Sequence, residues 1–419
     1  MGIIYNEKAK TFTLHTQNTT YQMQIDAYGF LLHLYYGRKT DGVMDYLLTY
    51  ADRGFSGNPQ DTGNDRTYSL DVLPQEFPCR LTGDFRSPVL DLVNADGSFG
   101  CDLRYQGYEI CDGKYNLKGL PAVYAAEEEA QTLIIYMKDQ VTGLQVELLY
   151  GVLPEYDVIT RSAKVINTEE DKIRLTKAQA ACIDFLHGEF DVISFYGRHA
   201  MERNMQRTSV GHGAFVIGSR RGTSSHQYNP MLILAEKETT EDAGICYGMS
   251  FVYSGGFKAE VEKDQFGQTR MQMGLQEEQF SYPLKKGEEF VIPEVILTCS
   301  NQGLEKLSQN LQRCIRKNLC RGKYKEKVRP VLINSWEACY FDFTGEDIYH
   351  LAEQAKDLGI DMVVLDDGWF GSRNDDNSGL GDWKVNEKKL QGSLGDLISR
   401  INALGVKFGL WFEPEMVNE

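Results

Sequence analysis

The first 335 residues of this 419-residue chain contain no tryptophan; all four (Trp336, Trp369, Trp383 and Trp411) crowd into the last 84. Composition alone therefore divides the chain in two. There is no run of about 18 apolar residues, so no helix is expected to span a bilayer. The Met1–Lys10 stretch has too short an apolar patch for a signal peptide, and Asn6 stands where N-myristoylation needs Ser or Thr. The nine cysteines form no C-x-x-C pair, which excludes a zinc knuckle or a redox dithiol of that spacing. They are expected to be reduced, mostly buried thiols of a cytoplasmic protein. P-loop, G-x-S-x-G and G-x-G-x-x-G motifs are missing. The seven histidines have no metal-ligand spacing, so neither a metal nor another cofactor is expected. Positive charge is also short: 44 Lys and Arg against 60 Asp and Glu leave a net charge of −16. That balance repels phosphate backbones and anionic lipid, arguing against nucleic-acid and membrane partners.

Residues 1 to about 300 are rich in turn-punctuated apolar runs of strand length. Leu144, Val146, Leu148 and Tyr150 alternate onto one face, and Met231–Ala235, Tyr247–Tyr253 and Phe290–Thr298 read as further strands. Asn94-Ala-Asp-Gly97, Gly211-His-Gly213 and Lys285-Lys-Gly287 supply turn chemistry between strands. This pattern predicts a large antiparallel sandwich. Leu304, Leu307, Leu311, Cys314, Ile315 and Leu319 then recur at helical spacing, and the basic stretch Arg321–Pro330 reads as a linker. The expected domains are 1–320 and 321–419.

Beyond Pro330 the pattern changes to strand, helix, strand, helix, strand. Val331–Trp336, Ile360–Asp367 and Val406–Phe412 are the strands, the middle one apolar enough to be buried on both faces. Thr344-x-x-Asp347 and Ser393-x-x-Asp396 open the helices, and Gly359 and Gly405 stop them. Such alternation means parallel pairing with right-handed crossovers. Three strands cannot close an eight-unit barrel of about 250 residues, so a barrel interrupted partway is the expectation.

Functional groups of parallel-strand folds gather at strand carboxyl ends. Three such ends are Asn334-Ser-Trp-Glu337, Leu365-Asp-Asp-Gly-Trp369 and Leu410-Trp-Phe-Glu-Pro-Glu415, each joining tryptophan to carboxylate. Indole stacks on the C–H face of a sugar while carboxylates accept its hydroxyls. Asp366 and Asp367 would repel each other unless sugar hydroxyls, a divalent metal or an arginine takes up the charge. Trp336 and Trp411 fit either pocket walls or core, Trp369 and Trp383 a pinned loop, and Asp375-Asp-Asn377 a solvated one. Glu413 and Glu415 are hydroxyl acceptors or loop caps.

The stretches Arg329-Pro-Val-Leu-Ile-Asn-Ser-Trp-Glu337, Val364-Leu-Asp-Asp-Gly-Trp-Phe370, Gly379-Leu-Gly-Asp-Trp383 and Gly409-Leu-Trp-Phe-Glu-Pro-Glu-Met-Val417 resemble the α-galactosidases of glycoside hydrolase family 36. Upstream, Phe55-Ser-Gly-Asn-Pro59, Asp65-Arg66, Ser69-Leu-Asp71, Leu73-Pro-Gln-Glu76, Gly83-Asp-Phe-Arg86, Arg221-Gly-Thr-Ser-Ser-His226 and Asn229-Pro230 extend the resemblance over essentially the whole chain. Phe195-Tyr-Gly-Arg198 departs from it where a tryptophan is more usual.

The resemblance implies a multi-domain β plus α/β chain: an N-terminal β-supersandwich followed by the first part of a (β/α)8 TIM barrel. It implies retaining hydrolysis of terminal α-galactosides such as melibiose and raffinose-type oligosaccharides. By the same resemblance Asp366 and Asp367 bind the C4 and C6 hydroxyls, Trp336 and Trp411 shape the pocket, and the complete protein is a homotetramer. The loop at Asp65-Arg66 would then reach a neighbour's site, which makes Arg66 a binding candidate. The family's nucleophile sits in a Lys-Trp-Asp stretch from a later strand. No Lys-Trp-Asp occurs here, so no catalytic residue is assigned and the chain alone is expected to be inactive. Its exposed parallel edge is also expected to favour aggregation. The rival readings are a raffinose- or stachyose-synthase-type galactosyl transferase and a non-catalytic sugar-binding module.

Overall fold

The computed structural model describes residues 2–54, 57–168, 170 and 172–419; Phe55 and Ser56 of the Phe55–Pro59 stretch lie outside the described residues. The chain divides into two compact units, 1–320 and 321–419. Among the described residues no helix is long and apolar enough to cross a membrane.

The first unit is built on antiparallel sheets. A four-stranded meander runs from Ile3 to Arg38. A nine-stranded sheet reaches from the edge strand Met201–Ser209 to Leu103–Asp112, with Glu289–Ser300 at its middle. A third sheet is organised on the long strand Ile173–Phe185. A register shift in that strand lets Thr269–Leu275 pair with one half while Leu90–Val93 and Tyr282–Leu284 take the other. Leu144, Val146, Leu148 and Tyr150 all point into one core, as their alternation predicts, alongside Phe12, Tyr21 and Leu297. The helix Gly303–Asn318 lays Leu307, Leu311 and Cys314 against Val158, Ile233 and Ile296 to make a second core.

Several buried charges here lie in closed sets. Arg161 meets Glu76 at 2.7 Å, and Glu76 also accepts from Tyr21 and Tyr150. Arg270 bridges Asp84 and Asp184, each at 2.7 Å, and Lys114 meets Glu294 at 2.6 Å. Every partner is almost wholly removed from water.

The second unit is a three-stranded parallel sheet: Leu332–Asn334, then Met362–Leu365, then Lys407–Leu410, in that order. The connecting helices Gly345–Asp357 and Leu394–Ala403 start where their caps predict. Thr344 and Asp347 form a reciprocal capping box, and Ser393 Oγ accepts from the Asp396 N–H. Gly359 and Gly405 take positive φ just past the helix ends. Two expectations are corrected. The first strand stops at Asn334, because the Asn334 side-chain oxygen accepts from the Trp336 N–H at 2.7 Å and turns the backbone into a short helix, Trp336–Cys339. The middle strand is fully buried on one face only. Val363 and Leu365 pack with helix residues Ile348, Ala352, Leu397 and Ile401, whereas Met362 and Val364 on the other face stay half-buried.

Candidate functional site

Asp366 leaves the middle strand directly after Leu365. Its N–H donates to Ser335 Oγ at 3.0 Å, and its carboxylate accepts from Asn334 Nδ2 on one oxygen and the Asp367 N–H on the other. A donor (the Asn334 amide) and an acceptor (the Ser335 hydroxyl) at the first strand's end thereby meet one residue of the second. Each Asp366 oxygen retains acceptor capacity after those bonds.

Asp367 is differently placed. Its Oδ1 accepts from the Gly368 N–H at 2.7 Å and from Arg373 Nε at 3.0 Å, and its Oδ2 from an Arg373 terminal nitrogen at 2.7 Å. Of the three groups that the sequence left open for this pair, an arginine takes up the charge of Asp367. Both side chains are nearly buried, so the fork is a charge-assisted, planar pairing of the strong kind. Arg373 is itself held through Ser378 O, and its carbonyl accepts from Lys389 Nζ at 3.3 Å. Burial pulls the Lys389 ammonium below its ordinary value, against the opposing pull of Asp367 and Asp342. Its Nζ lies over the Phe343 ring at 4.8 Å. Gly368 turns beneath it with φ +95°, and a Cβ there would stand 3.1 Å from both Lys389 Nζ and Phe341.

The third strand contributes Glu413. Burial first, then the Glu415 charge, pushes its carboxyl up from the ordinary value, while Arg373 opposes. The tryptophans separate into two kinds. Trp369 donates its indole N–H to Trp411 O at 3.0 Å and stacks on Trp383 at 6.3 Å, so these two rings pin the loop between them. Trp411 is half-buried against the unit's core. Trp336 sits edge-on to Tyr340 and Phe341, at 5.2 and 5.0 Å. No ring contact joins Trp336 to Trp411 among the described residues. Arg66 belongs to the first unit, two-thirds exposed, 3.3 Å from Asp52. Asp375 accepts from the Asn377 N–H within its own turn, and no metal-competent cluster of three or more His, Cys, Asp or Glu occurs among the described residues.

Sequence reasoning missed three participants. The sequence puts Asn334 at a strand end and singles out neither Arg373 nor Lys389. A signal existed: Arg373 is the only cation between Asp366 and Lys384.

Residues 29–285 match the glycosyl hydrolase family 36 N-terminal domain and residues 289–419 match melibiase. The bifunctional alpha-galactosidase/sucrose kinase AgaSK of Mediterraneibacter gnavus is 64% identical over 419 residues, 100% of this chain and 45% of that protein. Alpha-galactosidase Mel36A of Lactobacillus acidophilus is 44% identical, over 99% of this chain and 57% of its own. Among solved structures, the galactosidase domain of AgaSK superposes with a TM-score of 0.97 at 63% identity, covering 98% of this chain and 57% of that one. A variant of the GH36 alpha-galactosidase AgaA from Geobacillus stearothermophilus, solved with raffinose, gives 0.95 at 44% identity, over 97% and 57%. The chain thus spans about half the length of the curated relatives it matches. On the N-terminal domain match alone, which takes in more than half of its residues, the chain belongs to glycosyl hydrolase family 36.

Proposed function

We propose that this chain supplies the N-terminal sandwich and the first part of the galactoside-binding barrel of an α-galactosidase, which releases terminal α-galactosyl groups with retention. The observation that carries the reading is Asp366: a carboxylate at a parallel strand's end, oriented by Asn334 and Ser335, with acceptor capacity left for hydroxyl donors. Its relatives' names and the raffinose complex of AgaA support the substrate class.

Asp366 and Asp367 divide the work. Asp366 accepts sugar hydroxyls. Asp367 is held in a fixed orientation by its fork to Arg373, which suits a hydroxyl acceptor. Retention needs two carboxyl groups about 5–5.5 Å apart, one of them able to hand over a proton. The resemblance places both on later barrel strands, so the roles in this chain are binding roles. Trp336 and Trp411 wall the sugar, and in a homotetramer the exposed Arg66 loop reaches a neighbouring subunit's pocket. The nine free cysteines fit a cytoplasmic location.

The test is ligand-observed NMR of the 1–419 chain with methyl α-galactoside and its C4 epimer, methyl α-glucoside. Saturation transfer to the galactoside alone, lost in Asp366→Asn, is the expected outcome. Equal transfer to both epimers, or transfer unaffected by Asp366→Asn, overturns the reading. The same preparation is expected to leave a chromogenic α-galactoside intact.

A further inference from the structure

Two of the nine cysteines stand side by side in the first unit. Cys79 precedes the strand Leu90–Val93 and Cys101 follows it, and the Cys101 N–H donates to the Arg80 carbonyl at 3.4 Å, which brings the second cysteine back beside the first. Both side chains belong to the main core, each 4% exposed. Hydrogen bonding with the Cys79 thiol, then burial, pushes the Cys101 thiol up from its ordinary value. Cys101 also lines a hollow of about 570 Å³, together with Asn94, Asp96, Leu144 and Ile173. Proximity of cysteines alone does not give this arrangement. Cys246 and Cys299 lie on paired strands, but Tyr247 is the residue opposite Cys299, so the two thiols project from opposite faces of the sheet.

We propose that Cys79 and Cys101 are a peroxide-oxidised dithiol, with Cys101 reached through the hollow and Cys79 resolving it. The Cys101 thiolate attacks one oxygen of hydrogen peroxide; the O–O bond breaks, hydroxide leaves, and a sulfenic acid forms. The Cys79 thiolate then attacks the sulfenic sulfur. The S–O bond breaks and the oxygen departs as water after taking up a proton. Two electrons pass from the two thiols to the peroxide, and one disulfide closes the loop of residues 80–100. Both steps need a thiolate, so the reaction runs faster at pH 9 than at pH 7. The closed loop ties the strand Leu90–Val93 to the segment ending at Cys79 and raises the unfolding midpoint of the first unit.

The experiment exposes the reduced 1–419 chain to hydrogen peroxide at pH 7 and pH 9. The remaining thiols are then alkylated in denaturant, and the chain is digested without reductant for mass spectrometry. A 79–101 cross-linked peptide, formed faster at pH 9, is expected. In Cys79→Ser, Cys101 is expected to persist as a sulfenic acid that dimedone captures. Recovery of both cysteines as alkylated thiols after exhaustive oxidation overturns the proposal, and so does a Cys101 whose fate is the same in wild type and Cys79→Ser. Midpoints with and without dithiothreitol give a second readout: loss of the difference in Cys101→Ser is expected, and its survival there contradicts the assignment.

Discussion

The two units use the same pair of functional groups, guanidinium and carboxylate, to different ends. In the sandwich, Arg270 sits between Asp84 and Asp184 and Arg161 on Glu76, and each set closes on itself out of reach of water. In the parallel unit, the Arg373 fork on Asp367 lies at a strand's carboxyl end, beside an Asp366 whose oxygens still have room for donors. Closure makes a structural element; incomplete satisfaction at a strand end leaves room for further donors. The pH behaviour of the carboxyls divides the same way. Burial alone would raise Asp184, but Arg270 and Arg86 more than offset it and hold it well below the usual carboxylate range, whereas burial raises Glu413.

The largest effect expected to break this comparison comes from Arg270→Ala. Removing the cation leaves Asp84 and Asp184 buried with Arg86 as their one remaining cationic partner, at a cost of roughly 3–5 kcal/mol to the sandwich. A denaturant midpoint for the first unit that hardly moves would mean that the set is not closed. Next is the acid limb. A carboxyl whose folded-state value is depressed contributes stability above its unfolded value and loses it as pH falls through the folded one. Stability from Asp184 should therefore be complete above about pH 4 and drain away below it. Asp184→Asn is expected to flatten that limb in a pH series of thermal unfolding. Smaller still is Thr344→Ala, which removes a cap from the parallel unit for about 1 kcal/mol and leaves the sandwich untouched. The smallest is Glu413→Gln, a slight gain for the second unit at pH 7 that fades toward pH 4, because a raised carboxyl costs stability once it must ionise.

Legibility followed the range of the interaction. Helix boundaries in the second unit could be read because Thr344 with Asp347, and Ser393 with Asp396, are local contacts three residues apart. Alternation at Leu144–Tyr150 was equally local. The order of nine strands was not readable, since antiparallel partners such as Glu289–Ser300 and Val158–Ile166 lie more than a hundred residues apart and each apolar face fits many others. At the site, the two aspartates stood out as adjacent like charges, but their resolution did not. Arg373 reaches Asp367 across a tight turn at Gly368 and Gly371, and its acidic neighbours Asp375 and Asp376 offered nearer partners on paper. Asn334 was hidden for another reason. Its bond to Asp366 depends on which parallel register the two strands adopt, and no local pattern sets that.

That last bond has a consequence for how the sheet is assembled. The parallel register sets Asn334 opposite Val364, two positions short of the carboxylate that it serves. A slip by a single residue would carry the amide out of reach and leave Asp366 without its orienting donor. In the role proposed for Asp366, galactoside recognition would thus double as a gauge of backbone alignment: a molecule threaded one notch out of step would be blind to its sugar.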